Sequence, residues 1–243
     1  MKKTVLGIMA LLMFAMVGMT SCEKEIAIEN DGEINGHGYV DLGLPSGTLW
    51  ATCNVGAITP EGYGDYYAWA ETEPKYYYKW DNYKYCVNAY SSLTKYCYSS
   101  EYGYNGYTDT LMVLEREDDA ASVIWGGLWR TPTDKEYLEL AQHTTSELTT
   151  LNGINGRKLT AKNGKSIFLP YAGCYRNGEL EGVDECGFYW TSSLCPPMPN
   201  MVNGGDILWS YKASNKYFAT HNNSGGSENP RYQGFSIRPV CSR

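Results

Sequence analysis

Between residues 61 and 107 the chain carries 14 of its 22 tyrosines, together with Trp69 and Trp80, and very few aliphatic side chains. With so little Leu, Ile and Val, this stretch is not a conventional core element. It reads instead as a long, loop-rich insertion held together by ring packing. Any fold for the chain has to house this insertion near 61–107 and place regular elements on either side of it.

The start of the chain indicates where such a fold would work. Lys2 and Lys3 precede an apolar run from Val5 to Val17, too short to cross a bilayer and the right length for a secretory leader. Met19-Thr20-Ser21-Cys22 then resembles a bacterial lipobox, with small residues directly before a cysteine. On this reading residues 1–21 are a signal peptide, Cys22 carries the lipid, and the polar residues 22–37 are a tether. The folded domain would span 38–243. The expectation is an outer-membrane lipoprotein, on the periplasmic face or the cell surface, that touches the membrane only through its anchor. Removing the leader takes away two of the 20 basic residues and none of the 27 acidic ones, leaving a formal charge of −9. A body so acidic, with no basic stripe, is not built to neutralise phosphates, which argues against a nucleic-acid partner.

Subtracting Cys22 from the eight cysteines leaves seven in a compartment that permits disulfides. Cys86 with Cys97 is the first local candidate, followed by Cys174 with Cys186 or Cys195. Cys53 reads as a buried thiol, with a bridge to Cys241 as the alternative. No C-x-x-C pair is present, which disfavours a zinc site or a thioredoxin-like pair.

Flanking the insertion, Val40, Leu42, Leu44, Leu49, Trp50 and Val55 are punctuated by Pro45-Ser46-Gly47 and Gly56, predicting two short strands and a turn. Asp118-Asp119 opens a helix that Gly126-Gly127 stops. A second helix begins at Thr131-Pro132-Thr133-Asp134, where Thr133 and Glu136 have capping-box spacing and Tyr137, Leu138, Leu140 and Ala141 are its apolar positions. From Leu151 onward, short apolar runs around 158–160, 166–169, 171–173, 187–190, 207–209 and 235–237 alternate with Gly and Asn, the rhythm of antiparallel hairpins. Two helices with antiparallel strands and long loops make an α+β domain.

Catalytic patterns are weak. There is no G-x-S-x-G, and His37, His143 and His221 stand apart from one another in the sequence. Asp31-Gly32-Glu33-Ile34-Asn35-Gly36 opens like a calcium loop, but Leu42 occupies the position of the bidentate acid. Glu115, Glu117, Asp118 and Asp119 are accounted for by a helix start, where acids stabilise the dipole without a metal. No enzymatic activity, cofactor or metal is expected.

Three separated segments carry a resemblance: Val40-Asp41-Leu42-Gly43-Leu44-Pro45-Ser46-Gly47-Thr48-Leu49-Trp50-Ala51, Trp125-Gly126-Gly127-Leu128-Trp129-Arg130-Thr131-Pro132-Thr133, and Gly234-Phe235-Ser236-Ile237-Arg238-Pro239-Val240. In this order they resemble the Fibrobacter succinogenes major paralogous domain family, lipoprotein-like secreted proteins of gut Bacteroidetes. That family is similar, distantly, to formylglycine-generating-enzyme domains and to the variable proteins of diversity-generating retroelements, both of C-type-lectin fold. The resemblance implies a C-type-lectin-like domain with its terminal strands side by side and long loops at one end. The enzymatic relatives use a cysteine pair near the C-terminus. Cys195 is followed by no second cysteine within ten residues, so that activity is not implied. Physically, Trp129-Arg130 and Arg238 suit structural work, seating an aromatic ring and offering guanidinium groups to carbonyls or a carboxylate.

The segment Thr191–Gln233 has a paratope-like composition, in which rigid rings give contact area and Asn and Ser adapt their hydrogen bonds. It lies where the retroelement relatives hold their ligand-facing residues. The expected ligand-binding residues are Trp209, Tyr211, Asn215, Tyr217, His221, Asn222, Asn223 and Tyr232, carried on C-terminal loops. The expected function is a monomeric binding module for a glycan or for a host or bacterial surface protein. A structural or fimbria-associated surface subunit is the first alternative and a metal-dependent, oxidase-like enzyme the second.

Overall fold

The computed structural model describes residues 28–199, 206–207, 210–220 and 224–243. In chain order the regular elements are β1 (Gly32–Ile34), β2 (His37–Val40), β3 (Leu49–Ala51), α1 (Ala120–Trp125), α2 (Asp134–His143), β4 (Thr144–Leu151), β5 (Ile154–Ala161), β6 (Ser166–Pro170), β7 (Ala172–Arg176), β8 (Glu179–Val183), β9 (Cys186–Leu194), β10 (Met198–Pro199), β11 (Asp206–Ile207), β12 (Lys212–Ala219), β13 (Ser224–Pro230) and β14 (Val240–Cys241). The architecture is α+β and dominated by sheet. Four sheets form, ordered β1-β2-β3-β14, β13-β12-β9-β7-β8, β4-β5-β6 and β10-β11. Neighbours run antiparallel except β7 and β9, which meet in parallel at Gly173 and Gly187.

Local chemistry explains both helices. Asp119 caps α1, accepting from the Ala121 amide at 3.0 Å, and Gly126 ends the helix in the left-handed region at φ 65°. Thr133 and Glu136 form the reciprocal capping box of α2. Only Tyr137 and Leu140 of the four expected apolar positions in α2 are buried. Leu138 and Ala141 are exposed, because the helix packs along one narrow stripe.

The folded body starts earlier than the tether reading of 22–37 implies. Asn35 and Gly36 take φ values of 50° and 78°, the geometry of a two-residue hairpin turn, and pair β1 with β2. Ile34 packs on the core, the Asn35 amide donates to the Trp125 carbonyl, and His37 stacks on Trp125 at 3.8 Å.

The main core is built of rings: Trp69, Trp125, Trp129, Trp190, Phe188 and Phe235 pack together, with Trp190 stacked on Phe235 at 4.2 Å. A second core of Val40, Leu42, Trp50, Tyr137, Leu140, Leu159, Ile167 and Val240 is more aliphatic. The Tyr-rich insertion contains three-residue 3₁₀ turns and isolated bridges but no strand. It nevertheless buries Tyr67, Trp69, Tyr78, Tyr83, Leu93 and Tyr96.

A loop-rich chain leaves many carbonyls without a ladder partner, and buried carbonyls need donors. Here the polar tips of the rings supply them. The indole N–H groups of Trp69, Trp129 and Trp190 donate at 2.8 Å to the carbonyls of Thr191, Ile34 and Tyr67. The hydroxyls of Tyr83 and Tyr189 donate at 2.8 and 2.7 Å to those of Trp69 and Pro170. Each ring fills space and closes a hydrogen bond between segments distant in sequence.

The seven described cysteines are all free thiols, so none of the candidate bridges is formed here. Cys53 is half-buried, whereas Cys97, Cys174, Cys195 and Cys241 are buried.

Burial raises the hydroxyls of Tyr66, Tyr67, Tyr78, Tyr83, Tyr96 and Tyr189 above the ordinary tyrosine value. A group raised in the folded state stabilises fully below its unfolded pKa, about 10 for tyrosine. That stabilisation falls as pH climbs from there through the folded value. Alkaline titration should therefore show this buried set ionising only together with loss of near-UV circular dichroism. Ionisation of these six tyrosines at the ordinary value, with the fold intact, would contradict this.

Candidate functional site

Three parts of the chain converge on one aromatic face. The 3₁₀ turn Trp80–Asn82 presents Trp80. A tight turn closed by the Val87 amide on the Ser92 carbonyl at 2.9 Å carries Tyr90 at its tip, half exposed at 49%. Leu93 is fully buried and exchanges backbone hydrogen bonds with Tyr102 and Tyr104 at 2.7 and 2.8 Å, which brings Tyr102 alongside. Tyr211, just ahead of β12, sits 5.2 Å from Tyr102, 5.3 Å from Tyr90 and 6.5 Å from Trp80. Tyr232, just after β13, packs on Trp80 at 5.0 Å. Lys212 lies 5.8 Å from the Tyr211 ring centre.

Arg231 ties these parts together. Its guanidinium is buried between the rings of Trp69 and Tyr83, at 5.7 and 5.5 Å from their centres. Nη1 donates to the carbonyls of Lys95 and Tyr96 at 3.2 and 3.3 Å. The Arg231 amide donates to Tyr211, and its carbonyl accepts from Trp69 at 2.8 Å. One residue thus fixes the C-terminal hairpin against the insertion, and Tyr211 and Tyr232 flank the joint.

Asp118 anchors the insertion from the other side. It is buried at 1% exposure and accepts from Lys84 at 3.0 Å, Lys95 at 2.6 Å and the hydroxyls of Tyr96 (2.9 Å) and Tyr85. Burial pushes its carboxyl up, but the hydrogen bonds from Lys95, Tyr85, Lys84 and Tyr96 outweigh that and hold it below the usual carboxylate range.

Beyond Asn82 lies a polar crevice of about 370 Å³ lined by Glu71, Lys75, Asn82 and Lys84. Glu71 accepts from the Lys75 ammonium at 2.7 Å and the Lys84 amide at 2.6 Å. Burial still raises its carboxyl above the ordinary value. The turn Trp80–Asn82 therefore stands between stacking surface and hydrogen-bonding groups.

The expected ligand-binding residues divide three ways. Tyr211 and Tyr232 meet on the aromatic face. Asn215 and Tyr217 do not, and they lie on strand β12 rather than on a loop. Asn215 is fully buried, its side-chain carbonyl taken by Ser227 and Asn229 at 3.2 and 2.9 Å. Tyr217 packs on Phe188 at 4.7 Å, about 20 Å along the strand from Tyr211. Cys22, Trp209, His221, Asn222 and Asn223 lie outside the described residues. Trp80, Tyr90 and Tyr102, which join Tyr211 and Tyr232 on this face, are not among the expected ligand-binding residues, although the tyrosine density of their segment was the signal available.

Arg130 and Arg238 do structural work, as their setting in the motifs suggests. Arg130 forms a two-pronged pair with Glu136 at 2.5 and 2.8 Å. Fully buried Arg238 donates to Asn54 and to the carbonyls of Ala51, Thr52 and Phe168, all at 2.9 to 3.2 Å. Burial pushes the Cys174 and Cys195 thiols up to about 12 and about 11, far from the thiolate a nucleophile needs. Among the described residues no group of three or more His, Cys, Asp or Glu is arranged to hold a metal ion.

No protein-family model, no curated protein and no solved structure matches this chain.

Asp118→Asn should lower stability by about 2 kcal/mol near neutral pH, the scale of charge-assisted hydrogen bonds lost from one buried acceptor. Because the carboxyl is depressed in the fold, its contribution is present above the unfolded value near 4 and is lost as pH falls through the folded value. Denaturant melts across pH 2 to 7 should show the gap between wild type and variant closing at the acid end. A constant gap would refute the assignment.

Proposed function

We propose that this protein is a lipid-anchored, extracytoplasmic recognition module that binds a glycan through the aromatic face of Trp80, Tyr90, Tyr102, Tyr211 and Tyr232. The observation carrying this reading is the convergence of five partly accessible rings from three chain segments beside a polar crevice. Sugar rings offer apolar C–H faces that stack on aromatics and hydroxyls that pair with carboxylates, amides and ammonium groups, and both halves of that chemistry are adjacent here. The aromatic rings are also held by packing, so little entropy is lost on binding. The leader and lipobox reading of residues 1–22 puts this face outside the cytoplasm.

Within this proposal the domain is C-type-lectin-like and belongs with the Fibrobacter succinogenes major paralogous domain family. Support comes from β14 pairing with β3 at opposite ends of the domain, from the two helices, and from the long insertion beside the C-terminal hairpin. A catalytic role has no such support, since the buried thiols are held protonated and His37 is stacked on Trp125.

A self-associating surface subunit is the second reading, favoured by β4. This eight-residue edge strand is rich in threonine and carries Leu148 exposed, a template for pairing with another copy.

A glycan array run with the purified protein, with and without calcium, separates the two. The recognition reading expects a specific hit, weakened about 5- to 30-fold by Tyr90→Ala or Tyr211→Ala, with melting unchanged. A negative array together with concentration-dependent oligomers by sedimentation would transfer the assignment to β4.

A further inference from the structure

We propose that a second site, a groove between α2 and the β12–β13 hairpin, binds a small aliphatic carboxylate of about eight carbons. This inference does not rest on the aromatic face. The groove has a volume of about 250 Å³, and its walls are the rings of Tyr137 and Phe218 with Leu138, Leu140 and Leu159. Leu138, the apolar position of α2 left half exposed at 51%, forms its rim. The Thr144 hydroxyl, also in the lining, is turned onto the Leu140 carbonyl at 2.7 Å and offers no free donor to the groove. Ser146 and the Tyr137 hydroxyl, which has no partner among the described residues, are the remaining polar groups of a lining otherwise made of hydrocarbon, which favours an alkyl chain.

One charge breaks this apolar lining. Lys216 is the only charged group among the described lining residues. Its ammonium lies over the glycine strand, 3.0 Å from where a Cβ on Gly226 would stand. Among the described residues its one acceptor is Asp134 Oδ1 at 2.7 Å, at the first turn of α2. An ammonium has three donors, so two remain for a carboxylate while Asp134 holds the third. Gly226 pairs with Lys216 and presents no side chain on the groove face, which leaves room for the ammonium, while Gly225 pairs with Tyr217 and lies on the opposite face. An apolar cavity of about 150 Å³ accepts benzene, so this one takes roughly ten non-hydrogen atoms, the size of octanoate.

The test is titration of the purified protein with octanoate and, in parallel, octylamine, followed by calorimetry and ligand-observed NMR. Octanoate should bind with a Kd on the order of 0.1 to 1 mM, at least tenfold tighter than octylamine. Lys216→Met keeps the aliphatic stem and should remove that preference. Gly226→Leu, on the Lys216 face, should fill the groove and weaken both ligands at least tenfold, and Leu138→Asn, at the rim, serves the same purpose should the first variant not fold. Equal binding of the two ligands, an unchanged preference in Lys216→Met, unaffected binding in the groove-filling variants, or no saturable binding up to 5 mM would each overturn the proposal.

Discussion

Two buried guanidinium groups without a carboxylate partner hold this molecule together. Arg231 and Arg238 are both fully buried, and their hydrogen bonds go to neutral oxygens: the carbonyls of Lys95, Tyr96, Ala51, Thr52 and Phe168, and the Asn54 amide. Burying a charge is costly unless its donors are met: Arg238 meets the cost with bonds from all three nitrogens, whereas Arg231 bonds through Nη1 alone, its Nε and Nη2 having no partner among the described residues, and relies on the Trp69 and Tyr83 rings. Burial pulls Arg238 below its ordinary value, yet a guanidinium starts high enough to stay charged. Between the two arginines, Phe235 bridges to Tyr67 and Ser236 to Tyr189, and further on Val240 pairs with Trp50 and Arg130. The last thirteen residues thus touch the first sheet, the insertion, the second helix's approach and the central sheet. Such closure depends on contacts between the two ends of the sequence, a slow kind of contact to form.

That arrangement decides what the insertion can be. A Tyr-rich segment without strands has no ladder to hold it, so its position comes from discrete ties: Arg231 stacked on Trp69 and Tyr83, Asp118 receiving two lysines and two tyrosines, and Tyr and Trp tips closing on carbonyls. Gly234 belongs to the same design, since a Cβ there would come within 2.7 Å of the Tyr78 ring. The outermost rings of this stack, Tyr90, Tyr102 and Tyr211, lie at the surface above these ties. On the proposed reading, rigidity in the core of the insertion is what suits its exposed edge to binding.

What could be read from the sequence follows the range of the forces involved. Both helices were legible because their caps are local: Asp119, Gly126, Thr133 and Glu136 act within four residues of themselves. The hairpin at Asn35-Gly36 carried its turn signal too, but the polar character of 23–36 masked it, and the burial of Ile34 depends on Trp125 and Trp129 ninety residues away. The site was half legible. Tyr211 and Tyr232 stand out by composition, whereas their partners Trp80, Tyr90 and Tyr102 become neighbours only through Arg231, a contact no local pattern announces. Asn215 misled for the opposite reason. Its amide looks adaptable in sequence but sits mid-strand, where Ser227 and Asn229 from β13 consume its oxygen.

The alternation of β12 carries the last step. Successive side chains of a strand point to opposite faces, so Tyr217 turns to Phe188 and the aromatic core while Lys216 and Phe218 turn to α2. On that second face the hairpin partner contributes Gly226, paired with Lys216, instead of a side chain, and α2 contributes Leu138 where a fully packed interface would bury it. An interior normally fills such gaps, because an unfilled apolar space forfeits dispersion contacts on every side. On the proposed reading, a groove left open at Gly226, with one ammonium at its wall, is better explained by an occupant than by imperfect packing.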